Sequence, residues 1–212
     1  LAGKNLILAS NTLNADVYYD LVKYMDNVEY PGIIGTKEQC NVYHEMYKKI
    51  TGRNLTTKMD QRIYSCKKVI EQKVNNSFVR LARESDLEVL VVWAYDFAKD
   101  IQESLTLEQA KESIKYQINN KSLYVLEVDN EIVSMAARTR ALESTESVGY
   151  VYTPSEYRRK GYASKVTAEV TKNILKDGKV ATLYTDLSNP TSNSIYMKMG
   201  YVPYCDSVML NI

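Results

Sequence analysis

The chain has 212 residues, with 27 basic and 26 acidic side chains for a net charge of +1, 45% hydrophobic and 25% charged residues. That composition is ordinary for a globular protein of one large domain or two small ones, and its charge balance excludes a global field that would draw nucleic acid or an anionic membrane, so any anion site must be local. No apolar run approaches the ~20 residues that span a bilayer; the single histidine, His44, excludes a multi-histidine metal cluster and, mid-helix without a nucleophile motif, argues against most Ser-His-Asp arrangements.

The first 76 residues read as a separate α/β block. A helix is expected over 16–25. Thr36 and Gln39 have the spacing of a capping box, opening a second helix that runs to Thr51 and Gly52. An alternating stretch over 55–64 predicts a strand. The order strand, glycine loop, helix, strand through Pro31, Gly32, Gly35 and Thr36 echoes a second such loop further on, without its basic residues. The block therefore reads as a degenerate half-copy of the following domain or as a helical cap on it. The polar run 73–77 is the expected linker.

Residues 77–212 alternate strands and helices. A short strand at 78–82 precedes a helix opened by Ser85 or Asp86, and an amphipathic helix covers 107–118. Strand patterns at 122–128 and 131–138 flank Asp129 and Asn130, which tolerate positive φ and predict a tight hairpin. A strand over 146–153 is closed by Pro154; Gly149 within it marks a bulge or a close backbone approach. A helix follows over 162–176, with Ala163, Val166, Val170 and Ile174 on one face and Gly178 as its stop. A buried strand at 180–185 leads to Asn189 and Pro190, suited to N-cap and first helical position. The last helix carries Ile195, Tyr196 and Met199 and ends at Gly200, before a final strand. Lys198 is expected to face solvent.

The sequence Tyr157-Arg158-Arg159-Lys160-Gly161-Tyr162-Ala163 stands between the 146–153 strand and the helix after it. A helix start presents unpaired N–H groups and the positive end of the macrodipole, which suits a phosphate. Gly161 allows close backbone approach, and the cations add charge that a helix N-terminus would otherwise disfavour. There is no Gly-Lys-Ser/Thr and no Gly-x-Gly-x-x-Gly, so neither a Walker loop nor a dinucleotide fingerprint is present. The loop, Arg-x-x-Gly-x-Ala, resembles the acyl-CoA loop of the GNAT superfamily of N-acetyltransferases. A second segment does so too: Asn189 before a helix, and Tyr196 four residues ahead of Gly200-Tyr201. The resemblance covers about residues 78–210.

That resemblance implies the acyl-CoA N-acyltransferase fold, a mixed and mostly antiparallel sheet flanked by helices. It implies acetyl-CoA as co-substrate, no metal, and direct attack by a small-molecule or peptide amine. The pyrophosphate would be held by backbone N–H groups of Arg159, Lys160, Gly161, Tyr162, Ala163 and Ser164, with Arg158, Arg159 or Lys160 adding charge. Val151, Tyr152 and Thr153 would bind the pantetheine arm and face the thioester carbonyl. Asn189 caps the helix and could also touch the cofactor. Tyr196 would be the general acid for the departing thiolate. Glu146, or Glu143 in the turn before it, is the candidate base, both also readable as solvated charges. A non-catalytic acyl-CoA sensor of the same fold, or an enzyme using another acyl donor, remains open. Cys40, Cys66 and Cys205, with no Cys-x-x-Cys and no visible signal peptide, read as reduced thiols of a cytoplasmic protein. Partners are expected to be the amine, not nucleic acid or membrane, in a monomer or homodimer. Leu1 in place of Met suggests a trimmed N-terminus.

Overall fold

The computed structural model describes residues 4–101 and 103–212; Leu1 lies outside them. The described residues form nine strands and six α-helices: β1 Leu6–Ile7, α1 Ala15–Met25, β2 Gly32–Thr36, α2 Lys37–Thr51, β3 Thr56–Cys66, β4 Ser77–Leu81, α3 Leu87–Asp100, α4 Leu107–Asn119, β5 Leu123–Val128, β6 Glu131–Thr139, β7 Thr145–Tyr152, α5 Tyr162–Lys176, β8 Val180–Asp186, α6 Pro190–Lys198 and β9 Val202–Asn211. The fold is mixed α/β, as expected. It divides into two compact units, and not by a single cut at 76/77. The smaller contains the chain up to Ile63 together with Tyr184–Pro190 and Pro203–Ile212; the larger is Tyr64–Leu183 with Thr191–Val202.

In the larger unit the strands run in the order β8-β7-β6-β5-β4. β4, β5, β6 and β7 pair antiparallel, and β8 runs parallel to β7. Asp129 (φ 49°) and Asn130 (φ 67°) make the tight β5–β6 turn anticipated from their tolerance of positive φ. The pleat sends alternate side chains to opposite faces. Leu126, Ala136 and Val148 pack with Val166, Val170 and Ile174 of α5. Val125, Met135 and Ala137 pack with Leu90, Ala94 and Ile114 of α3 and α4. Each such large side chain, fully buried, contributes about 1.5–3 kcal/mol. The helix α5 ends as its sequence requires, with Gly178 left-handed (φ 75°) just past Asp177.

Asp86 holds the N-cap position of α3, one of the two residues expected there, but not with its side chain. A 3₁₀ turn, Glu84–Asp86, precedes α3, and the Asp86 side chain makes no cap bond to that helix. Its carboxylate instead takes two bonds from Arg80, at 2.7 and 3.0 Å, and one from the Arg83 N–H. A guanidinium fork satisfies a carboxylate better than one helix N–H can.

In the smaller unit β2 pairs parallel with β1 and antiparallel with Ser207–Asn211 of β9. Leu8, Tyr18, Ile33, Cys40, Tyr43, Val208 and Leu210 form its core. The Thr36 side chain accepts from the Gln39 N–H, α2 carries Glu38 in its first turn, and Gly52 ends it at φ 71°. The start of this helix is thus capped by its own threonine and carries an acidic residue, unlike a helix start left bare for an anion.

Candidate active site

Gly161 precedes α5 in the left-handed conformation (φ 80°) and offers no side-chain cap; the first turn of α5 holds no acidic residue. Arg159 is also left-handed (φ 65°). Alternation of this kind turns successive backbone N–H groups toward one concavity, an anion nest, which here runs into the open N-terminus of a helix. Tyr162, Ala163 and Ser164 are half-buried, while Arg159, Lys160 and Gly161 are exposed. Arg159 and Lys160 pair with no carboxylate among the described residues; the Lys160 ammonium lies 5.7 Å and 5.9 Å from the ring centres of Tyr157 and Tyr162.

Arg158 behaves differently from expectation. Its Nε donates to the Thr153 carbonyl at 2.9 Å and its guanidinium to Asp100 at 2.8 Å. The side chain is thereby drawn back along the chain toward α3 and is committed to holding the loop, leaving positive charge at the nest to Arg159 and Lys160.

The strand before the loop is bulged. Gly149 pairs with Ala137 and Tyr152 with Met135, three steps on β7 against two on β6. Tyr150 takes φ 51°, unusual for a bulky residue. The conformation is supported by a 2.8 Å hydroxyl bond to Ser113 and a ring contact with Phe97 at 5.7 Å. Gly149 is where the sequence marked a bulge or close approach, and both occur: a Cβ there would lie 3.1 Å from the Thr139 hydroxyl oxygen. On the other edge, the register of β7 with β8 covers only Thr145, Glu146 and Ser147. The last rung is pinned by the Ser147 and Thr182 hydroxyls, 2.8 Å apart. Beyond it the backbone of Val148–Tyr152 has no partner in that register. Ser134, which the sequence reading did not single out, holds the end of this strand. Its hydroxyl donates to the Tyr152 carbonyl at 3.0 Å and lies 2.8 Å from the Thr153 hydroxyl. A lone serine inside the apolar run Ile132 to Ala137 was the available signal.

Tyr196 lies on α6, half-buried, its ring edge-on to Tyr201 at 6.1 Å. Burial pushes its hydroxyl up to about 12, so it is a neutral donor through the physiological range. Asn189 directly precedes α6, which begins at Pro190. Lys198 is exposed. Glu146 is buried, with Arg138 donating to both oxygens at 3.0 and 2.7 Å and Lys179 at 3.6 Å. It sits on the paired stretch of β7, before the strands part, and its place there is that of a structural ion pair; Glu143 is exposed. Cys40 and Cys66 are buried and Cys205 half-buried, all three as free thiols, and burial pushes the Cys40 thiol up to about 12. Among the described residues no cluster of metal-ligating side chains occurs, and no helix is long and apolar enough to cross a membrane.

Comparison with known proteins gives the same picture. Residues 127–209, which contain the bulged strand, the loop and α6, match the family described as FR47-like protein. A GNAT-family acetyltransferase from Colwellia psychrerythraea superposes with TM-score 0.69 at 14% identity, over 93% of this chain and 72% of that one. A GCN5-related N-acetyltransferase from Kribbella flavida gives 0.66 at 16%, over 99% and 79%. One from Sphaerobacter thermophilus gives 0.64 at 12%, over 85% and 59%. No sequence among curated proteins matches the chain. The fold is that of the GNAT acetyltransferases, and the superfamily resemblance carried by the two sequence segments is borne out. Residues 127–209 are similar to the family described as FR47-like protein.

Proposed function

We propose that the protein is an acyl-CoA-dependent N-acyltransferase, with acetyl-CoA as donor and a primary amine as acceptor. The observation that carries this is the uncapped, acid-free start of α5, entered through the left-handed Arg159 and Gly161 and adjoining a bulged strand whose register with β8 ends at Ser147. The nest from Arg159 to Ser164 would hold the pyrophosphate. Backbone groups at Val151 and Tyr152 would take the pantetheine arm and place an N–H at the developing oxyanion. Thr153 supports them from within, its hydroxyl and carbonyl already committed to Ser134 and Arg158.

The donor supplies an acyl group activated as a thioester. The amine must arrive unprotonated; its nitrogen forms the new bond to the carbonyl carbon and the carbon–sulfur bond breaks. In this reading Tyr196 would hydrogen-bond the leaving sulfur and give it a proton; burial keeps its hydroxyl protonated at neutral pH. With the three thiols buried or half-buried and held protonated, direct attack is preferred to an acyl-cysteine route.

The test is thiol release from acetyl-CoA across an amine panel, with Tyr196→Phe beside the parent. The variant is expected to bind acetyl-CoA nearly as the parent does and to lose on the order of 10²-fold in single-turnover rate. Parent-like single-turnover chemistry would remove the acid role. Binding without release of thiol by the parent under any amine would make the protein a sensor.

A further inference from the structure

Between β3 and β4 the chain crosses the larger unit as the irregular segment 67–76, which the sequence reading took, over its last residues, for a linker. Its course is fixed at two points. The Ile70 N–H donates to the Met199 carbonyl at 2.9 Å, and at Gly200 (φ 94°) an added Cβ would come within 2.5 Å of the Lys68 carbonyl oxygen. Further on, a Cβ built at Gly161 would lie 4.0 Å from the Val74 side chain, and the Ser77 hydroxyl donates to the Val74 carbonyl at 2.7 Å before β4 begins. Ser77 pairs with Val128 at the end of β5. Because β5 and β7 are both antiparallel to β6, Val128 and Tyr152 lie at the same end of the sheet, the end at which the nest is placed. The segment thus runs from the end of α6 to the nest.

Three lysines stand on it, Lys67, Lys68 and Lys73, all exposed, against the single carboxylate of Glu71. None of the three pairs with a carboxylate among the described residues. Elsewhere in this unit Arg80, Arg138, Arg158, Lys172 and Lys179 pair, while Lys111, Lys115, Lys121, Lys165, Lys176 and Lys198 have no ion pair among the described residues; what sets Lys73 apart is its place beside the nest. Lys73 immediately precedes Val74, and so adjoins a nest whose own Arg159 and Lys160 are unpaired. Lys73, Arg159 and Lys160 are thus three unpaired cations about one nest, which repel one another unless an anion lies among them, and Lys67 and Lys68 stand further along the same segment toward α6. The nest accounts for one pyrophosphate and leaves these lysines over.

We infer that segment 67–76 is a wall of the acyl-CoA site, and that Lys73, with Lys67 and Lys68, receives the phosphate on the ribose 3′ position of the same nucleotide. The inference rests on the acyl-CoA reading above. It assigns this segment a ligand contact distinct from the pyrophosphate cradle.

The experiment compares CoA with 3′-dephospho-CoA by calorimetry at low salt. The proteins are the parent, Lys67→Gln/Lys68→Gln/Lys73→Gln, and Arg159→Gln/Lys160→Gln. The parent should prefer CoA several-fold to about tenfold, as a few exposed charge pairs allow, and added salt should shrink that preference. The segment variant should bind 3′-dephospho-CoA as the parent does and lose the preference for CoA. The loop variant should weaken for both compounds alike and keep the ratio. A parental ratio in the segment variant, or an equal loss for both compounds in it, overturns the assignment while leaving the acyl-CoA reading standing. No binding of either compound to the parent overturns both.

Discussion

Ser134→Ala removes one oxygen atom from a fully buried position between β6 and β7. The Ser134 hydroxyl donates to the Tyr152 carbonyl at 3.0 Å and is 2.8 Å from the Thr153 hydroxyl. Alanine fills nearly the same space, so the cost is one of polar satisfaction. A buried group left without its partner costs about 1–3 kcal/mol; with Thr153 free to turn toward the vacated carbonyl, about 2 kcal/mol is expected. For a chain of this length that corresponds to a fall of roughly 4–8 °C in Tm. Thr153→Val, which keeps shape and removes the hydroxyl, permits a cycle. Urea unfolding of the two single variants and the double should give less than additive losses, with a coupling of about 0.5–1 kcal/mol or more. A Ser134→Ala loss below about 0.5 kcal/mol, or strict additivity, would show that the pair does not hold the end of β7.

Two further outcomes are expected. Gly161→Asp places a carboxylate where the nest would take phosphate, so the stabilisation that a ligand at 100 times its Kd gives, about 2.7 kcal/mol, should vanish in a thermal-shift measurement with acetyl-CoA; a parental shift would refute the nest. Asp86 has its pKa lowered: burial acts to raise it, and the bonds and charge of Arg80 with the Arg83 N–H outweigh burial. Its stabilisation is therefore complete above the unfolded carboxylate value of about 3.9 and is lost as pH falls through the lower folded value. Asp86→Asn should cost about 1.5–3 kcal/mol at pH 7, and the gap to the parent should close in acid; a gap independent of pH would refute the sign.

What could be read in advance was what neighbours in sequence decide. The α5 stripe, the Asp129–Asn130 turn, the Gly178 stop and the Gly161 loop each depend on a few adjacent residues, and each was legible. The missed features join distant segments. Arg158 was expected at the phosphate, but Asp100, far back in the chain, takes its guanidinium. Glu146 was a candidate base; Arg138 of β6 and Lys179, just before β8, both reach it, which no local pattern announced. Gly149 announced an irregularity without showing that the strained residue would be its neighbour, tyrosine. The last strand joins the smaller compact unit over Pro203–Ile212; nothing local marks such a return.

The bulge in β7 acts as a phase shifter. Upstream of it, Val148 faces α5; Gly149 and Tyr150 then fall on the same side, toward α3 and α4, and Val151 and Tyr152 follow half a period late. Deleting one residue at 149–151 would restore a regular ladder, relieve the left-handed tyrosine and leave Tyr152 on the face of Trp93, its ring neighbour at 6.3 Å. Such a shortened chain would be better paired, so the surplus residue serves the local bend and added twist of the strand just before the loop rather than its pairing.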